Sequence, residues 1–210
     1  NPTFTLGATG AIITSNTGGL VTAITTPGTN VFTAGASYTF NGATITPFHS
    51  ATLGAPADVI INANVTLNKS TTITNSISLT SGTLTVGANT LTLSGSTINR
   101  DGTTYTGNID ASNASATVAF TNTSALTIPA STFTGTCKNI TMNGAGGITL
   151  GSDLTIGGTL TFTSGKITSG SNKVILTSAG AVSRTSGYVN GNLQKNVAVS
   201  ATSRTFEIGD

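Results

Sequence analysis

The sequence predicts an all-β fold, a parallel β-helix with a right-handed coil and about 20 residues per turn. Three observations lead there. Apolar and polar residues alternate within many short runs. Turn-forming residues separate the runs, with no sustained helical period between them. A stretch of about thirty residues then recurs, so that 65–94 resembles 148–177.

The alternation is tightest from Asp58 onward. Val59, Ile61, Val65, Leu67, Ile73, Ile77, Leu79, Leu84, Val86, Leu91 and Leu93 mark one side of successive strands. Thr and Ser fill most places between them. Thr is β-branched and suits an extended backbone while offering a hydroxyl to water. Residues 1–50 hold looser runs, such as Ala11 to Thr14 and Ala36 to Phe40, punctuated by Pro27-Gly28 and Asn41-Gly42. They are read as a β-rich leading or capping segment, and 51–210 as the β-solenoid proper. Residues 95–140 fit the pattern least.

The repeat aligns without gaps at an offset of 83, Val65 falling on Ile148. Thr72/Thr155, Ile73/Ile156, Gly82/Gly165, Gly87/Gly170, Asn89/Asn172 and Leu93/Leu176 are identical pairs. The offset suggests four turns of roughly 21 residues. Aliphatic residues are then expected to stack inward, Thr and Ser to face water, and Asn89 and Asn172 to sit at turns with stacked amides bonding along the axis. A sandwich often carries buried aromatics, and this chain has only eight Phe and three Tyr.

Composition excludes several functions. Charged residues are only 7% and the net charge is +2. The eight basic residues are scattered, so nucleic acid is not an expected partner. No apolar run is long enough for a membrane helix, and no membrane insertion is expected. Disorder is disfavoured by a hydrophobic content of 37%. The abrupt ends read as those of a segment of a longer or processed chain.

The strings Tyr38-Thr39-Phe40-Asn41-Gly42, Leu79-Thr80-Ser81-Gly82-Thr83-Leu84, Gly158-Thr159-Leu160-Thr161-Phe162-Thr163-Ser164-Gly165, Tyr188-Val189-Asn190-Gly191-Asn192-Leu193 and Phe206-Glu207-Ile208-Gly209-Asp210 carry a family likeness. From about residue 36 onward the chain resembles the β-strand repeat modules of large secreted surface proteins of Bacteroidota. The resemblance implies export by a dedicated outer-membrane route, a cell-surface location, and an adhesin-like or stalk role. It implies no catalytic residues and no cofactor. The expected partners are neighbouring domains of the same long chain, or identical subunits end to end, with surface polysaccharide a further candidate.

The six carboxylates are Asp58, Asp101, Asp110, Asp153, Glu207 and Asp210. β-Helix enzymes acting on polysaccharides group such residues on adjacent turns. Here only Asp101 with Asp110, and Glu207 with Asp210, are close in sequence, and solvated turn positions are the expected reading. His49 has no metal-binding companion nearby in sequence. Cys137 reads as a buried residue, although its neighbour Lys138 could lower a thiol pKa. The pairs Gly146-Gly147 and Gly157-Gly158 lack a phosphate-loop context. The triplets starting at Thr72, Thr83, Thr90 and Thr159 could build a hydroxyl array like that of ice-binding solenoids. Their spacing is irregular, so they read as ordinary outward Thr. The expected function is a non-enzymatic structural or adhesive module, with no catalytic, cofactor or metal residues. The alternatives are a carbohydrate-active β-helix enzyme or polysaccharide-binding module, and an ice-binding solenoid.

Overall fold

In the computed structural model, residues 2–49, 53–197, 199 and 203–209 are described. The fold is nearly all β, with parallel strands stacked as a β-solenoid of about 7 turns, about 22 residues apart. Each turn has three sides, so the stack presents three faces of parallel strands.

The first face carries Thr71–Ile73, Thr90–Leu93, Thr117–Phe120, Asn139–Asn143, Thr159–Ser164 and Ala181–Arg184, hydrogen-bonded in that order. Below them Phe4–Leu6 pairs with Asn30–Phe32, and Phe32 bridges to Leu53. The second face runs through Ala11–Thr14, Ser37–Phe40, Asp58–Ile61, Ser76–Leu79 and Thr97–Asn99. It resumes with Leu126–Ile128, Ile148–Leu150 and the first part of Lys166–Leu176. The third face stacks Val65–Thr66, Thr83–Thr85 and Asn108–Asp110, then, higher up, Leu154–Ile156 and the last part of Lys166–Leu176.

Alternation decides which side of each strand is dry. Leu91, Val118, Ile140 and Leu160 form one inward column on the first face, each fully buried. Val65, Leu84 and Ile109 do the same on the third face. Each such side chain contributes about 1.5–3 kcal/mol. The lower turns are more aromatic. Phe48 meets Tyr38 and Phe40 edge-on at 5.6 and 5.4 Å, so aromatic rings are concentrated where the turns are least regular.

The repeat behaves differently from the expectation of four stacked turns. Val65 lies on the third face, but Ile148, its counterpart, pairs with Leu126 and Ile167 on the second. Ile77 is on the second face and Leu160 on the first. Leu91 is on the first and Val174 on the third. The offset therefore spans three turns and two further faces, one face short of four turns. Asn89 and Asn172 do not stack on one another. Each does bond along the axis: the Asn89 side-chain amide donates to the Leu67 carbonyl at 2.8 Å, and that of Asn172 to the Leu150 carbonyl at 2.9 Å.

The repeated glycines follow the same logic. Gly82 and Gly165 have φ of 70° and 78°, a left-handed conformation that side chains disfavour. A Cβ on Gly82 would lie 2.4 Å from the Ala63 carbonyl carbon, and one on Gly165 would lie 2.1 Å from the Gly144 oxygen. Both positions are corners where the backbone of one turn rests directly on the turn below.

Two features depart from the even pattern expected. A five-residue helix, Gly19–Ala23, occupies the third side of the lowest turn and buries Leu20 against the core. Between Asn99 and Asn108 the chain leaves the stack in a corner loop and returns in register at Ile109 on Leu84.

Candidate functional site

The carboxylates that could form a catalytic pair are each engaged separately. Asp101 heads the corner loop, where its Oδ1 accepts the backbone N–H groups of Thr103, Thr104 and Tyr105 at 2.7, 2.8 and 2.9 Å. The Tyr105 and Thr103 N–H donors, in that order, pull its carboxyl down to about 2. It is thus an ionised turn residue. Asp110 ends a third-face strand and accepts the Ser112 N–H at 2.9 Å. Asp58 ties three turns together: Ser37 Oγ lies 3.3 Å away, Asn75 Nδ2 2.7 Å and Ser76 Oγ 2.5 Å. Asp153 accepts the Lys173 N–H at 2.8 Å. Glu207 forms an ion pair with Lys195 at 2.9 Å. Its sequence companion Asp210 lies outside the described residues.

His49 packs 5.6 Å from the Phe32 ring, with Nε2 3.3 Å from Asn30 Nδ2. Among the described residues, no group of three or more His, Cys, Asp or Glu stands close enough to hold a metal ion. Cys137 is fully buried and bridges Ile156 on the third face. Burial first, and the Asp110 charge second, push its thiol up to about 12. Any influence of Lys138 is overridden, and the sulfur is a protonated core group at neutral pH.

One interior gap in the lower turns has no room for a ligand. The void between Phe40, Phe48, Val59, Leu67, Leu84 and Leu91 is about 10 Å³. Its lining is apolar, and an apolar void of this size stays dry. Larger hollows are open surface depressions, such as one of about 310 Å³ beside Lys166, Gly187 and Tyr188.

What the structure does assemble is a surface. On the first face Thr72, Thr92, Ala119, Thr141, Thr161 and Ser183 stand directly in register, one per turn; the hydroxyl residues are partly or fully exposed, and Ala119 is buried between its neighbours. Thr90, Thr117 and Asn139 form a second column two residues before it. On the other side, Ser94 and Thr121 hydroxyls bond to each other at 2.6 Å. Three of the four triplet starts, Thr72, Thr90 and Thr159, belong to this face, whereas Thr83 is on the third. The uneven sequence intervals hid the ladder, because turns differ in length. Pro56 and Thr74 bond across 18 residues, and Ser94 and Thr121 across 27. Corner loops absorb the difference and the strands stay aligned.

No family model matches the chain, and no curated protein or solved structure matches it. Among the described residues no helix is long and apolar enough to cross a membrane.

Proposed function

We propose that the chain is a non-enzymatic rod module of a larger extracellular surface protein, acting as a spacer or adhesive surface. The observation that carries this reading is the distribution of its polar chemistry. Asp58, Asp153, Asn89, Asn172 and their kind each tie one turn to the next. Side chains spent on axial bonds suit a mechanical element better than a reaction centre. Stacking by nearest neighbours lets such a rod grow without a new core plan.

The ends support end-to-end partners, either neighbouring domains or a second copy. Among the described residues, the large exposed apolar side chains are Ile13, Val21 and Ile45 in the first two turns and Val197, Val199, Phe206 and Ile208 near the other end. Open parallel strand edges there are templates for further strands.

The purified chain should release no sugar from a panel of acidic polysaccharides, and protease should nick it first at the 100–107 corner. Turnover that disappears in Asp110→Asn, with an unchanged melting temperature, would overturn the rod reading in favour of a β-helix enzyme.

A further inference from the structure

The first face carries the longest register of outward hydroxyls; a shorter one, Thr127, Thr149 and Thr168, lies on the second. Five of the six first-face strands, Thr71–Ile73, Thr90–Leu93, Thr117–Phe120, Asn139–Asn143 and Thr159–Ser164, contain no charged residue, and the sixth, Ala181–Arg184, carries only the exposed Arg184 at its end. Asp58 and Lys166 lie on strands of the second face, and Asp110 and Lys173 on strands of the third. The only aromatic side chains in the first-face strands named, Phe120 and Phe162, are fully buried. What faces outward is a grid of hydroxyls and methyls. Its columns are about 4.8 Å apart between turns and about 6.7 Å apart along each strand.

That grid narrows the ligand. Nucleic acid or an anionic polymer needs cations to replace its counterions, and five successive strands supply none. A protein partner usually finds aromatic or Arg anchors, which are absent here. Sugar rings stack on exposed aromatic faces, also absent. The remaining match is a largely regular, uncharged lattice of hydrogen-bonding groups, in register except for a shift after Met142. Each Thr hydroxyl offers one donor and two acceptor sites. The hydroxyls of Thr72, Thr92, Thr141 and Thr161 make no hydrogen bond to other described residues. The γ-methyls between them add apolar surface, whose hydration is unfavourable relative to burial.

We propose that the first face binds the surface of ice, through the column Thr72, Thr92, Thr141 and Thr161 and its neighbours. The parallel register fixes these hydroxyls before binding, so little side-chain entropy is lost; Thr is stiff at χ1 and cannot rotate far. Ala119 interrupts the column once without adding charge or bulk. This surface is independent of the rod's role as a spacer, and either can fail without the other.

The test is thermal hysteresis and partition of the purified chain into a slowly growing ice hemisphere. The wild type should facet ice crystals, show hysteresis and enter the ice. Thr141→Lys, at the centre of the face, should reduce both several-fold with an unchanged circular dichroism melt. Thr155→Lys should leave both intact. It sits on the third face, where its neighbour in register is Ile175. A folded wild type that neither shapes ice nor enters it overturns the proposal, as do equal losses in the two variants. Retention on microcrystalline cellulose or chitin that Thr141→Lys abolishes, with no hysteresis, would reassign the face to polysaccharide.

Discussion

At the first copy of the repeat, Asn89 reaches the Leu67 carbonyl at the corner between the third and first faces; at the second, Asn172 reaches Leu150 between the second and third. Both bonds span 22 residues. The same string of residues thus makes the same corner at two different vertices. Its environment differs in one respect. In the first copy the strands Thr83–Thr85 and Thr90–Leu93 are separate, whereas in the second Lys166–Leu176 runs unbroken through the bend. The motif therefore specifies a strand, a bend and a bond to the turn below, and leaves the choice of face to the length of what precedes it.

Paired substitutions can break this equivalence. The largest effect is expected for Leu91→Asp and Val174→Asp, which put a charge at two fully buried, corresponding positions. An unpaired buried charge costs several kcal/mol, so both should unfold the adjoining turns, read as a large fall in melting temperature. A melt unchanged in one of them would show that its copy does not face inward.

Alanine at the corner glycines should discriminate more finely. Gly82→Ala and Gly165→Ala add both positive-φ strain and a backbone clash, and should each lose on the order of 3 kcal/mol. Gly87→Ala and Gly170→Ala share the positive φ, but the nearest atom to a Cβ on Gly87 is 3.8 Å away and none lies within 4 Å of one on Gly170. Their loss should be about 1–2 kcal/mol, the left-handed strain alone. Denaturant titration of all four would expose any copy in which the ranking reverses. The smallest effect, about 1 kcal/mol, is expected for Asn89→Ala and Asn172→Ala, each losing an axial hydrogen bond. Unequal losses would mean that the unbroken strand at the second corner already holds the bend.

The sequence revealed the strand, its dry side and the existence of stacking, because a period of two and a repeated glycine are local signals. Leu91, Leu84 and Ile77 are buried as their alternation demands. It did not reveal which turns lie above which. That depends on corner length, and a loop such as 100–107 adds residues without adding a face. The hydroxyl ladder was lost for the same reason: Thr92 and Thr141 are neighbours in space through Ala119, yet nothing periodic links them along the chain. The helix Gly19–Ala23 escaped because five residues are too few to display a period, and Leu20 alone anchors it in the core. Asp101 is the turn residue that its Asp-Gly setting indicates, but the axial role of Asp58 depends on the turns on both sides of it.

The displacement of the repeat by one face has a genealogical consequence. A copy of the 65–94 motif placed 83 residues on keeps its bend and axial bond, yet arrives rotated about the axis by one side of the triangle. A third copy at the same offset would rotate again, and only a fourth would bring the original orientation back. Lineages that lengthen such a rod by copying this unit would wind any patch carried on one side into a slow spiral around it. A rod selected to keep one side uniform must therefore edit its copies after they arise, and single substitutions, rather than duplication, would be expected to have built the threonine ladder.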